Sequence, residues 1–106
     1  MRKPRKYRNT PTEKDGHRFD SKREMERYCH LKLLQMGGEI EALELQPKFP
    51  ITVKGVKVCE YWGDFRYVER QTGETIVEDV KGVRTAVYKL KKKLVKACHG
   101  IDVVEV

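Results

Sequence analysis

The segment Ile76-Val77-Glu78-Asp79-Val80-Lys81-Gly82 places two carboxylates and an ammonium inside an otherwise apolar run. On a strand, alternation puts Asp79 and Lys81 on one face and turns Glu78 to the other. Burying such charges is costly unless they are partnered or employed. The preceding strand offers a further carboxylate, Asp64, between Gly63 and Phe65. Across a hairpin loop of even length, the expected pairing sets position 64 opposite 81 and diagonal to 79. Asp64, Asp79 and Lys81 then converge, whereas an odd loop without a bulge would separate them. Two carboxylates at that separation suit Mg²⁺, which takes one or two protein carboxylates plus a phosphate and keeps several waters. Lys81 could orient or deprotonate an attacking water or stabilise developing charge. The competing reading is a buried Asp–Lys pair that ties the hairpin together without catalysis, and Asp-x-Lys alone does not separate the two.

Glu24 has two readings as well. Ser21-Lys22-Arg23-Glu24 is a capping-box pattern, in which Glu24 reaches back to a backbone N–H. Glu24 also borders the apolar face of its helix, beside Tyr28 and Leu31, from where it could point along the sheet toward Asp64. The three cysteines, Cys29, Cys59 and Cys98, lack CxxC spacing and are odd in number, which argues for free thiols in a reducing cytosol. Cys29-His30 and Cys98-His99 could be zinc half-sites, but both fall in helical segments where cysteine serves as a small buried hydrophobe.

The elements that must position these groups follow from patterning. Residues 1–18 contain Pro4 and Pro11 and no apolar periodicity, which predicts a flexible basic arm ahead of one folded domain over 19–106. Ser21 opens a first helix in which Met25, Tyr28, Cys29 and Met36 share a face bordered by Leu31 and Leu33, and Gly37-Gly38 ends it. Leu43, Leu45 and Phe49 to Val53 suggest a strand interrupted by Pro47 and Pro50, with a turn at Lys54-Gly55. A second strand runs near Val56 to Val68, with a hairpin turn at Gln71-Thr72-Gly73-Glu74. Thr75 to Lys81 is a third strand. Thr85 caps a second helix with Val87, Leu90, Leu94 and Ala97 on one face and Lys89, Lys92, Lys93 and Lys96 on the other. Ile101 to Val106 is a last strand. The order predicts an α/β fold, a small mixed β-sheet flanked by helices.

The chain has 106 residues, with 23 Lys plus Arg against 16 Asp plus Glu and a net charge of +7. That size allows one core, and no apolar run is long enough to span a bilayer. Residues 1–30 carry ten Lys/Arg against five acids, and residues 81–100 carry seven and no acid. Basic flanks around an acidic middle suit a nucleic-acid surface with a metal or acid–base site in it. The aromatics Tyr61, Trp62, Phe65 and Tyr67 fit core packing on a two-sided sheet better than base stacking.

A helix glutamate, a strand aspartate, a strand Asp-x-Lys, a basic helix and a strand, in this order, resemble the core of the PD-(D/E)XK nuclease superfamily. FDSKREMERY, LELQPKF, GDFRY, VEDVKG and the terminal IDVVEV are similar to short phage and prophage nucleases labelled Holliday junction resolvases, over roughly residues 15–106. There is a more distant likeness to the DNA-cleaving subunit of heteromeric transposases. The resemblance implies a restriction-endonuclease-like αβββαβ core and an active-site set of Glu24, Asp64, Asp79 and Lys81. Asp64 and Asp79 would hold Mg²⁺, or Mn²⁺ in its place, with the Val80 carbonyl a further ligand and Glu24 completing the site through metal or water.

The expected protein is therefore a Mg²⁺-dependent endodeoxyribonuclease acting on branched or recombining DNA in the cytoplasm of a phage or prophage host. Arg5 and Lys6 in the arm and Lys89, Lys92 and Lys93 on the second helix would neutralise phosphates. A homodimer is expected, because resolving a junction needs paired nicks and two-fold dimers are the commonest assembly. Its rivals are a non-catalytic DNA-binding module, a nicking subunit that needs a recombinase partner, and an RNA-processing factor.

Overall fold

The computed structural model describes residues 12–80 and 84–106. β1 (Thr12–Lys14) and β2 (His17–Phe19) pair antiparallel around Asp15-Gly16. Both turn residues have positive φ, 52° and 77°, the mirror-image two-residue turn that matches strand twist. The predicted flexible arm over 1–18 is thus corrected at its C-terminal end: from Thr12 the chain is a hairpin, signalled by the Asp-Gly pair. Residues 1–11, with Arg5 and Lys6, lie outside the described residues.

α1 (Lys22–Met36) starts where predicted, with the Ser21 Oγ accepting the Glu24 N–H at 3.1 Å. Gly37 ends it, donating its N–H to the Leu33 carbonyl at 3.0 Å. The buried stripe is Glu24, Tyr28 and Leu31, at i, i+4 and i+7. Leu33 and Met36, expected on or beside that face, are exposed instead.

β3 (Ile40–Leu45) and β4 (Lys48–Val53) run into β5 (Val56–Trp62) and β6 (Phe65–Glu69) as one long hairpin broken on both arms at the same level. The Gln46 N–H donates to the Asp64 carbonyl and the Gly63 N–H to the Pro47 carbonyl, each at 2.9 Å. The expected single strand over 56–68 is therefore two strands that belong to different sheets. Gly63 permits the break: a Cβ there would lie 3.1 Å from Val77 Cγ1 and 3.3 Å from Pro47 Cγ. β7 (Thr75–Asp79), α2 (Ala86–His99) and β8 (Val103–Glu105) complete the described elements. β4 and β5 form a two-stranded sheet, and β3-β6-β7-β8 form a four-stranded one, antiparallel except for β7–β8.

Alternation along the central strands divides the core. Phe65 and Tyr67 join Phe19, Tyr28 and Leu31 under α1. Val77 and Tyr61 join Phe49, Tyr88 and Val95 under α2. The result is the predicted α/β architecture, a mixed sheet with a helix on each face. Tyr61, Phe65 and Tyr67 are buried as core aromatics, while Trp62 is half-buried with Lys48 Nζ 5.7 Å from its ring centre.

α2 is capped by Thr85 and closed by Gly100 at φ +70°, as its sequence predicts, but it is rotated from the expected orientation. Tyr88 and Val95 are its buried residues, and Leu94 is half-buried. Val87, Leu90 and Ala97 are exposed. The rotation brings the Tyr88 hydroxyl to Glu105 on β8, where it donates at 2.8 Å. Among the described residues no helix is long and apolar enough to cross a membrane.

Candidate catalytic site at the sheet break

Asp64 is the residue at which the chain passes from the two-stranded to the four-stranded sheet. In the β6–β7 ladder Phe65 faces Glu78 and Arg66 faces Val77, and Asp64 stands just beyond the end of that ladder. The Asp64 N–H donates to the Glu78 carbonyl at 3.0 Å, and its Oδ2 accepts the Val80 N–H at 2.6 Å. The predicted pairing of 64 with 81 is thus corrected by two residues. The turn occupies 70–73, with Glu69 N–H bonded to the Glu74 carbonyl, one position earlier than predicted. Moving a turn by one residue shifts the pairing by two and leaves every side chain on its face. Asp64 is tied to β7 on either side of Asp79, through the Glu78 carbonyl and the Val80 N–H.

Asp64 and Asp79 are buried, at 0 % and 1 % exposure. Asp79 Oδ2 accepts a hydrogen bond from the Tyr61 phenol. Burial, and then the charge of Asp79 and this bond, hold the Tyr61 phenol far above its ordinary range, so it stays a donor. The Tyr61 and Tyr88 ring centres are 6.5 Å apart, and Tyr88 leads on to Glu105, which is paired with Asp79 in the β7–β8 ladder. Glu105 also accepts from Arg84 Nε at 2.9 Å. The hydrogen bond from Tyr88, followed by Arg84 and Lys92, keeps its carboxyl below the usual range.

Glu78 points the other way, as alternation requires. Arg27 grips it with Nε at 2.7 Å and a terminal nitrogen at 2.6 Å, and the Tyr67 phenol adds a third donor. The Arg27 guanidinium is held above its usual pKa, first by this hydrogen bond. Glu78 is a structural carboxylate beneath α1.

Glu24 is buried at 1 % exposure on the α1 face that carries Tyr28 and Leu31. Among the described residues no group of three or more His, Cys, Asp or Glu side chains is placed to hold a metal. Glu24, Asp64 and Asp79 are each buried, at 1 %, 0 % and 1 % exposure. The Asp64–Asp79 pair nonetheless offers hard oxygen donors in the number that Mg²⁺ takes from protein when phosphate and water supply the rest. Lys81 lies outside the described residues.

Of the expected phosphate-binding lysines, Lys89 and Lys93 are exposed, while Lys92 Nζ sits 3.7 Å from Glu105 Oε2. Cys29, Cys59 and Cys98 are free. The Cys98-His99 pair is engaged with β4, His99 Nε2 lying 2.7 Å from the Pro50 carbonyl. Sequence reasoning does not single out Tyr61, Arg27, Tyr88 or Glu105 as partners of the β7 acids. Tyr61 and Asp79 are 18 positions apart across a bent hairpin, and no spacing rule joins them.

A family model described as "Protein of unknown function (DUF1064)" matches residues 4–102. The chain belongs to the DUF1064 family. The match runs from ahead of the hairpin to the approach of β8, so it takes in both helices and both members of the acid pair. No curated protein and no solved structure gives a match.

Proposed function

We propose that this DUF1064 protein is a Mg²⁺-dependent endodeoxyribonuclease that hydrolyses phosphodiesters in branched or recombining DNA. The observation that carries this reading is that Asp64, buried where the long hairpin breaks, is bonded to β7 on either side of the buried Asp79. A divalent cation held there would polarise a phosphoryl oxygen and lower the pKa of a bound water. Asp64 is pre-oriented by the Val80 N–H, and Asp79 by the Tyr61 phenol. Lys81 is the cation that would stabilise charge on the reacting phosphate, and Glu24 acts through water from the α1 side. The excess of positive charge draws the polyanion to the surface. The active form is a homodimer, whose two sites give the paired nicks that junction resolution needs, in the cytoplasm of a bacterial host.

Incubating plasmid, linear, flap and four-way-junction DNA with Mg²⁺ and with EDTA tests the reading. Expected are nicks that require Mg²⁺ or Mn²⁺, are lost in Lys81→Ala, and fall preferentially on the branched substrates. Binding without cleavage under every metal condition would overturn the enzyme in favour of a DNA-binding module. Light scattering that shows a monomer both free and on junction DNA would remove the dimer.

A further inference from the structure

The β1–β2 hairpin, α1 and β3 enclose a cavity of about 660 Å³ that the acid pair does not use. His17, Arg18, Tyr28, Lys32, Gln35 and Gln46 supply its polar wall, and among the described residues no acidic side chain lines it. Arg18 and Lys32 make no ion pair with any described residue, although Glu13 stands across the hairpin from Arg18. Two unneutralised cations on one concave wall raise the local potential for an anion.

The cavity is braced rather than incidental. Tyr28 donates its hydroxyl to Asp15 Oδ2 at 3.1 Å, which pins the hairpin turn to α1. The His17 ring stands T-shaped on Tyr28, with centres 5.7 Å apart, and the Phe19 ring packs on the same tyrosine at 5.0 Å. Gln35 Oε1 accepts the Leu43 N–H at 2.9 Å, tying α1 to β3. The other end of the cavity reaches the sheet break. Leu45 is paired with Phe65, and Gln46, whose N–H donates to the Asp64 carbonyl, is part of the wall. Neighbouring strands are about 4.8 Å apart, so the cavity begins one strand away from Asp64.

We infer that this cavity is the subsite for the DNA strand next to the scissile phosphate. Arg18 and Lys32 neutralise one or two backbone phosphates, and the exposed His17 ring offers a flat face to a base. A strand passing from the acid pair around the β3 edge of the sheet at Gln46 would meet these cations. The inference rests on the nuclease reading for its DNA ligand. It moves the main strand contact from the lysines of α2, where Lys92 and Lys96 have acidic neighbours, to the opposite side of the sheet.

The test is binding of a fluorescein-labelled single strand and of a four-way junction in EDTA, followed by anisotropy across a salt titration. Arg18→Gln combined with Lys32→Gln is expected to weaken binding and to flatten the log–log salt slope by about 0.7–0.9 for each phosphate left without its cation. Arg18→Lys, which keeps the charge, should retain most of the slope. Lys54→Gln with Lys57→Gln, the same charge change at the far tip of β4–β5, should leave it unchanged. An unaltered slope in the Arg18/Lys32 double variant, with circular dichroism showing an intact fold, overturns the subsite. So does an equal loss in the Lys54/Lys57 control. Cleavage by the unmutated protein in Mg²⁺ is scored separately: a flattened slope without cleavage keeps the subsite and removes the nuclease, and cleavage with an unaltered slope does the reverse.

Discussion

The two sides of the last turn of β7 carry adjacent acids with opposite fates. On the α1 side, Glu78 is bound by a two-pronged guanidinium and a phenol. On the α2 side, Asp79 takes its hydrogen bond from the neutral Tyr61 phenol and is flanked by the bonds that hold a second buried carboxylate, Asp64, to β7. A carboxylate gripped by Arg27 is satisfied in place and anchors a helix to a sheet. A carboxylate facing another carboxylate repels it until a cation or a proton intervenes. The same strand thus supplies a structural acid and, in the proposed function, a metal-binding one, separated by a single peptide.

The largest expected effect that sharpens this contrast is on cleavage. Asp79→Asn should reduce Mg²⁺-dependent nicking by more than about a hundredfold, because metal-held water is central to such hydrolysis. DNA affinity in EDTA should be equal or better, since a negative charge facing phosphate is removed. Glu78→Gln should keep most of the activity. If Asp79→Asn cuts normally and Glu78→Gln does not, the two roles are reversed and the site must be rebuilt beneath α1.

Stability should rank the acids in the opposite order. Glu78→Gln strips the countercharge from a half-buried Arg27 and is expected to cost about 2–3 kcal/mol in urea unfolding, below the range for a fully buried pair. A melt unchanged from the parent protein would mean that the Arg27–Glu78 bond does not hold α1 to the sheet. Tyr61→Phe should cost about 1–2 kcal/mol, by leaving a buried Asp79 oxygen short of its donor.

Tyr61 also carries a pH signature. Its phenol is raised in the folded state, so the stability it contributes is fully present below the ordinary tyrosine value of 10.0 and is lost as pH rises above it. The parent protein should therefore lose stability above pH 10 by about 1.4 kcal/mol per pH unit more than Tyr61→Phe does. Parallel alkaline profiles for the two proteins would contradict the buried, protonated phenol. The smallest effect is local: Ser21→Ala removes the acceptor for the Glu24 N–H and should cost about 1 kcal/mol without changing metal dependence.

Much of the frame is legible from local chemistry. Ser21 and Thr85 as caps, Gly37 and Gly100 as stops, and the split of Glu78 from Asp79 depend on hydrogen bonds and alternation within a few residues. The Asp15-Gly16 turn is equally local, but its setting in a basic, proline-bearing segment masks it. The rotation of α2 is not legible. Val87, Leu90, Leu94 and Ala97 make as good a stripe as Tyr88 and Val95, and only the partners on β8 and in the β4–β5 hairpin choose between them.

The residue types alone determined that two acids of β7 would part company and that two capped helices would flank a mixed sheet. Those outcomes follow from a strand period of two and from backbone groups that must be satisfied wherever the segment lies. Tertiary structure decided the rest. The close approach of Gly63 to Val77 and Pro47 broke the long hairpin and presented Asp64 at the break. A turn one residue earlier set Phe65 against Glu78, two residues away from the register that would place Asp64 against position 81. Arg27, Tyr61 and Tyr88 found their acids because distant elements packed together, and contacts between residues far apart in the chain are settled by packing, which local spacing does not encode.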